Sequence, residues 1–212
     1  MMRVLFAAAL TLATVTVSGA QEVVDRIVAR VENDIILLSD LQALARYQEL
    51  LDGKSESDAQ LLDRLIDQWI VRTEADVAHF PPPSEAEIER GLDRLKKSFP
   101  SPEEFEERKI KDRLRDGDIR RMTISQLYLS NYLDSRFRPS VQIDEKQIED
   151  FYQTAVVPRA KARGEEPPAL DAARDAIQEA LVQQGINEQA DRWLKESRAR
   201  LHVEKLLDQG TR

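Results

Sequence analysis

Side chains suited to covalent or metal chemistry are scarce in this chain. Its 212 residues include two histidines, His79 and His202, and no cysteine, which removes thiolate nucleophiles, disulfides and thiolate metal sites. His79 stands just before Phe80 and Pro81-Pro82-Pro83, at a predicted helix end where it would interact favourably with the C-terminal dipole. His202 falls on a predicted terminal strand. Glu103-Glu104 and Glu106-Glu107 belong to the opening of a predicted helix, where acids stabilise the dipole without any metal. There is no glycine-rich phosphate loop and no Gly-x-Ser-x-Gly elbow. The sequence therefore predicts no catalytic residue, no metal ligand and no cofactor. The chemistry left to it is non-covalent burial of apolar surface.

The side chains able to do that are large and mostly helical: Trp69, Phe80, Phe99, Phe105, Met122, Tyr128, Tyr132, Phe137, Phe151, Tyr152 and Trp193. Most of them must fill a core. A cleft that accepts unfolded chains needs some left accessible, because it works by nonspecific burial at about 25 cal/mol per Å² and by adaptable Met and aromatic contacts. The predicted lining is Phe99, Phe105, Met122, Tyr128, Tyr132 and Phe137. Arg120, Arg121, Arg136 and Arg138 lie nearby and could help hold polar backbone or acidic groups of a bound chain, although a solvated helix face is the simpler reading of each.

The elements that position these residues are marked by capping signals. Ser39/Gln42, Ser57/Gln60, Ser84/Glu87, Ser101/Glu104 and Asp144/Gln147 each put a capping oxygen three residues before a Glu or Gln, so five helix starts are expected. The helices are predicted over about 40–51, 58–79, 85–98, from Pro102 onward, 119–137 and 145–153. The second should bury Leu62, Leu65, Ile66, Trp69, Ile70 and Val77 and stop at the three prolines. The fifth carries Met122, Leu129, Leu133 and Phe137 on one stripe and Ile124, Tyr128 and Tyr132 on another, which suits the centre of a bundle. Residues 154–168 contain Gly164 and three prolines and read as an exposed linker. Helicity resumes at about Leu170 and runs to about Ala199, with Gly185 as a weak point of about 1 kcal/mol relative to Ala.

Both ends of this helical array carry strand patterns. Ile27, Ala29 and Val31 alternate with Arg26, Val28 and Arg30, and Glu32-Asn33-Asp34 supplies turn chemistry before Ile35 to Leu38, a hairpin over Val23 to Leu38. Leu201 to Leu206 alternates in the same way. A lone terminal strand must pair with something, so the two ends should meet in one small sheet.

In front of the hairpin, Met1-Met2-Arg3, the uncharged stretch Val4 to Val17 and Ser18-Gly19-Ala20 have the three parts of an export signal cleaved after about Ala20. Its roughly 14 apolar residues fall short of the roughly 20 that a spanning helix needs. Loss of residues 1–20 removes one base, Arg3, and no acid, which leaves 192 residues with 30 basic and 39 acidic side chains, a net charge of −9. The signs are interleaved, which argues against nucleic acid as a partner. Without further apolar runs of membrane length, stable membrane insertion is not expected, and a periplasmic location is.

The strand, turn, strand and helix order of residues 23–41 resembles the mature N-terminus of SurA-type periplasmic chaperones. LLDRLIDQWIVRTEA, Leu61 to Ala75, is similar to that family's second helix, and ALDAARDAIQEALVQQGINEQADRWLKESRARLHVEKL, Ala169 to Leu206, is similar to its C-terminal helix and strand. The resemblance implies a mainly α fold: a SurA-like helical domain with a small sheet made by the N-terminal hairpin and the C-terminal strand. It divides the chain into a signal peptide (1–20), an N-terminal helical domain (21–153), a linker (154–168) and a C-terminal helix and strand (169–212) that fold back on the domain. Family members usually insert parvulin prolyl isomerase domains where the linker stands. That site would bring paired histidines, a Cys or Asp and Gly-rich segments, and this chain cannot build it.

The implied function is that of an ATP-independent holdase for unfolded outer-membrane or periplasmic polypeptides, and not that of an enzyme. A prolyl isomerase is one alternative. Another is an assembly or scaffold protein with one dedicated partner, conceivably a homodimer with exchanged terminal segments.

Overall fold

The structure, a computed structural model, describes residues 25–207. The expected export signal, and Val23 and Val24 of the hairpin, lie outside the described residues. The fold is mainly α with one small antiparallel sheet of three strands. Strand β1 (Ile27–Val31) turns into β2 (Asp34–Leu37), and eight α-helices follow: α1 (Leu38–Asp52), α2 (Asp58–Val77), α3 (Glu85–Lys97), α4 (Pro102–Lys111), α5 (Asp116–Phe137), α6 (Glu145–Phe151), α7 (Val157–Ala162) and α8 (Leu170–Arg198). Strand β3 (Val203–Lys205) then closes the sheet in the order β2-β1-β3.

β1 is central because residues from both ends of the described chain pair with it. It faces β2 with Arg30 opposite Ile35, and β3 with Arg30 opposite Glu204. Val28, Ala29 and Val31 are fully buried, more than simple alternation predicts, as suits a strand flanked on both edges. The tight turn holds Glu32 at φ 52°. Its amide donates to the His202 carbonyl at 3.0 Å, and its carboxylate accepts from the His202 amide at 2.7 Å.

Four of the five predicted caps stand where expected. Ser84 and Glu87 exchange bonds fully, the Glu87 amide donating to Ser84 Oγ at 3.4 Å and the Ser84 amide to Glu87 Oε2 at 2.8 Å. Asp144 and Gln147 do the same at 2.8 and 2.9 Å. Gln60 reaches back to the Ser57 amide at 3.2 Å, and Ser101 Oγ accepts from the Glu104 amide at 3.2 Å. Ser39 is not a cap. β2 runs directly into α1 at Leu38, the Asp40 carboxylate accepts from the Leu37 amide at 3.1 Å, and the Ser39 amide, expected to bond Gln42, donates instead to Asp25 Oδ1 at 3.2 Å.

Two helix ends use non-glycine residues in the left-handed region. After α2, His79 has φ 52°; its amide donates to the Asp76 carbonyl at 3.1 Å and the Phe80 amide to the Ala75 carbonyl at 2.9 Å. After α4, Arg113 has φ 55°, with the Leu114 amide donating to the Lys109 carbonyl at 3.0 Å. Both are Schellman closures, and each tucks an apolar residue, Phe80 or Leu114, back against the fold.

Residues 154–168 are mostly exposed, but their first part is helical where the prolines and Gly164 predicted no regular structure. α6 continues through a π-helical turn (Tyr152–Val156) into α7. Pro158 lies inside this continuous run directly after the π-helical turn, where the i→i−4 ladder that its missing N–H would interrupt is already broken. Gly164, at φ 71°, ends α7. Nor does Gly185 break α8. A Cβ there would lie 2.7 Å from Val141 Cγ1, so the absent side chain is what admits the segment after α5 against the helix.

The core begins between the sheet, α1 and α2, around Val28, Leu41, Leu44, Leu61, Leu62 and Ile66, and the C-terminal segment adds Trp193, Leu194, Leu201 and Val203. A polar clamp seals this return. Arg198 donates to Asp67 at 2.7 Å and to Asp63 at 2.9 Å, and Lys205 donates to Asp63 at 2.7 Å.

Candidate functional site

The six side chains expected to line a binding surface separate into two groups. Phe99 and Phe105 are buried, with ring centroids 5.2 Å apart and nearly perpendicular, and pack with Tyr47, Leu50, Leu114 and Ile119 where α4 folds back toward α1. Tyr132 and Phe137 are also buried, the first among Val71, Ala75 and Leu129, the second against Ile186 and Ala190 of α8. These four are core. α5 is central, as its double stripe suggested, and α8 covers the stripe that holds Phe137. Met122 and Tyr128 remain half-buried and line open surface.

That surface is a groove where α2 and α5 diverge. Its upper part, about 330 Å³, lies under the sheet and is lined by Ile35, Ile36, Leu65, Trp69, Met122 and Arg72. Its lower part, about 590 Å³, is lined by Phe80, Pro82, Pro83, Ile124, Tyr128 and Asp76. The two adjoin at Arg72, Arg121 and Ser125, which line both.

Each apolar wall is held in place by a polar bond at its edge. Trp69 Nε1 donates to Asp34 Oδ2 at 2.9 Å, which pins the indole of α2 to the hairpin. Tyr128 Oη donates to Asp76 Oδ1 at 2.9 Å. Burial, and then the neighbouring Asp76 carboxylate, push the Tyr128 phenol above its ordinary pKa, so it stays a neutral donor. Phe80 packs 5.9 Å from Tyr128 and 5.5 Å from Tyr132 between ring centroids; the Schellman closure at His79 delivers it there. At the upper rim Ile35 is 51% exposed, a large apolar side chain facing solvent beside Trp69.

Sequence reasoning passed over Ile35, Leu65, Trp69, Ile124 and the prolines. Val77, expected in the core, is 75% exposed, because the end of α2 packs through Val71 and Ala75 and Val77, two residues after Ala75, falls on the opposite side of the helix. The expectation for Trp69 and Leu65 was burial, and each is only partly covered. The signal available was width: α2 carries more apolar positions than one packing face needs.

Of the four arginines near α5, three crosslink helices. Arg120 reaches Glu89 of α3 at 2.7 Å and also contacts Glu85. Arg138 bridges Asp134 at 2.8 Å and Glu179 of α8 at 2.7 Å. Arg136 lies 4.8 Å from the Trp193 ring centroid and donates to Tyr132 Oη at 2.9 Å. Arg121 lines the groove and contacts Asp118 one turn before it.

His79 and His202 serve backbone closure at opposite ends of the fold. Among the described residues no group of three His, Cys, Asp or Glu side chains could hold a metal ion, and no helix is long and apolar enough to cross a membrane. The site that these residues build is an open, apolar, aromatic-walled groove with two arginines at its middle. No protein-family model matches the chain, and no curated protein matches it.

Proposed function

We propose that this chain is an ATP-independent holdase that keeps unfolded exported polypeptides, above all outer-membrane β-barrel precursors, from aggregating. The observation that carries the reading is the groove between α2 and α5. Its paired cavities of about 330 and 590 Å³ are together long enough for several consecutive residues of an extended chain and too open for a small ligand to be enclosed. Aromatic, proline and methionine walls suit a varied clientele, since burial is non-directional and Met adapts its shape.

Two further features support it. The N-terminal sequence has the parts of an export signal, and the resemblance to SurA-type modules leads to a sheet shared by the first and last strands, the arrangement that β1 and β3 adopt. β-barrel precursors, with alternating apolar strands, are aggregation-prone in water and need such a partner.

The test is light scattering from a denatured porin-type client diluted into buffer. The purified protein at a several-fold excess should suppress scattering without nucleotide; undiminished scattering would sink the proposal.

A further inference from the structure

The groove is not uniformly apolar, and Arg72, a cation without an ion pair among the described residues, sits at its centre. Each of the other charges along it is committed to the fold: Asp76 accepts from Tyr128 at 2.9 Å, Asp40 caps α1 through the Leu37 amide at 3.1 Å, and Arg121 contacts Asp118. Arg72 donates only to the Ser125 hydroxyl, at 3.0 Å. Among the described residues no carboxylate lies within ion-pair distance of it. Its place is where the two cavities meet, so a chain lying along the groove crosses it.

A guanidinium offers five donors in a planar fork that matches a carboxylate with two parallel bonds. One hydroxyl satisfies little of that capacity, and water supplies the rest until an occupant displaces it. The surrounding Trp69, Met122, Ile124 and Tyr128 side chains lower the local dielectric once an occupant excludes solvent, which strengthens an ion pair formed there. The chain as a whole carries a formal net charge of −8 and would repel acidic segments elsewhere on its surface. Along the groove Arg72 and Arg121 stand against Asp40 and Asp76, so the lining is balanced where the chain as a whole is acidic, and Arg72 is the cation at its middle that has no carboxylate of its own.

We propose that the preferred occupant of the groove is an extended apolar segment with an acidic side chain near its middle, whose carboxylate Arg72 receives. The inference rests on the holdase reading and adds a selection rule to it: segments are ranked by apolar content and by a carboxylate placed to meet Arg72.

The experiment measures fluorescence anisotropy of twelve-residue labelled peptides with alternating aromatic and serine residues and a central Glu, Gln or Lys, titrated with the purified full-length protein. The Glu peptide should bind about tenfold tighter than the Gln peptide, a charge-assisted against a neutral contact, and the Lys peptide weakest. Arg72→Gln should bring the Glu and Gln peptides to equal affinity, and Arg72→Glu should make the Lys peptide the best ligand. Equal binding of the Glu and Gln peptides to the natural protein, or a preference that survives Arg72→Gln, overturns the assignment and leaves the holdase reading standing. Failure of all three peptides to bind, together with undiminished client scattering, overturns both.

Discussion

Arg198, at the end of α8, places its Nε 2.7 Å from Oδ1 of Asp67, 131 residues earlier in α2. The same guanidinium holds Asp63 at 2.9 Å, and Lys205 on β3 adds a third contact at 2.7 Å. Burial alone would raise the Asp63 carboxyl, but Lys205 and Arg198 together hold it below its ordinary value. Burial, with Asp63 and Asp191 nearby, pushes Asp67 up in spite of Arg198. The two carboxylates share one guanidinium, with Lys205 as a second cation at Asp63.

Arg198→Ala should destabilise the fold by about 1–2 kcal/mol, the usual range for hydrogen bonds to a charged group discounted for partial exposure. A lower urea midpoint at constant slope measures it. A midpoint equal to that of the natural protein would mean that the clamp contributes nothing.

Acidification should weaken a second junction as well. Gln48 and Arg64 hold Glu56 between α1 and α2, and its pKa is lowered to about 2, chiefly by the bond from Arg64 and then by that from Gln48. A carboxyl depressed in the folded state contributes stability that is fully present above its unfolded value, near 4.5, and is lost as pH falls toward 2. Glu56→Gln should flatten the pH dependence of stability in that window. Carboxyl titration by NMR would check the assignment: a Glu56 midpoint near 4.5 contradicts it.

Gly185→Ala sets helix propensity against packing. Propensity alone favours Ala by about 1 kcal/mol. The new Cβ would meet Val141 Cγ1 at 2.7 Å and Cγ2 at 3.1 Å, and a β-branched side chain has few rotamers with which to escape. The substitution should lower stability by about 1–2 kcal/mol, within the range for overpacking. Adding Val141→Ala should restore much of the loss, which a double-mutant cycle in thermal denaturation can resolve.

His79→Gly should raise stability by about 0.5–1 kcal/mol. The backbone at φ 52° is one that glycine adopts without a Cβ penalty, and glycine is the usual residue at this position of a Schellman closure. The greater freedom of unfolded glycine reduces the gain. An unchanged or lower melting temperature would show that the imidazole stabilises this turn.

Ile35→Ser probes the groove without touching the core. At 51% exposure the side chain leaves little cavity behind, so stability should change by about 0.5 kcal/mol or less. Suppression of client scattering should weaken. Full suppression by this variant would place client binding elsewhere on the molecule.

The helix starts were legible because a cap is a local contract between residues three apart, and Ser57, Ser84, Ser101 and Asp144 all honour it. Ser39 misled because β2 feeds α1 without a break, so the helix starts at Leu38 and the serine already lies inside it. The shared sheet could be inferred from the need of Val203 to Lys205 for a partner, while the central place of β1 between β2 and β3 required three dimensions. Burial was the least legible property. Phe99, Phe105, Tyr132 and Phe137 occupy stripes identical in kind to those of Met122 and Tyr128, and only the paths of α4 and α8 decide which are covered. Trp69 gave no warning, since a core tryptophan and a groove wall share one helical spacing.

The pairing of β1 with β3 also sets an order of events. His202 meets Glu32 across 170 residues, so a chain that emerges from its N-terminus presents β1 with one edge bare until nearly everything else has been made. A two-stranded hairpin is marginal alone, and a long closure is entropically slow. During that interval Val28, Ala29 and Val31, wholly buried in the finished fold, belong to a strand with only half its partners.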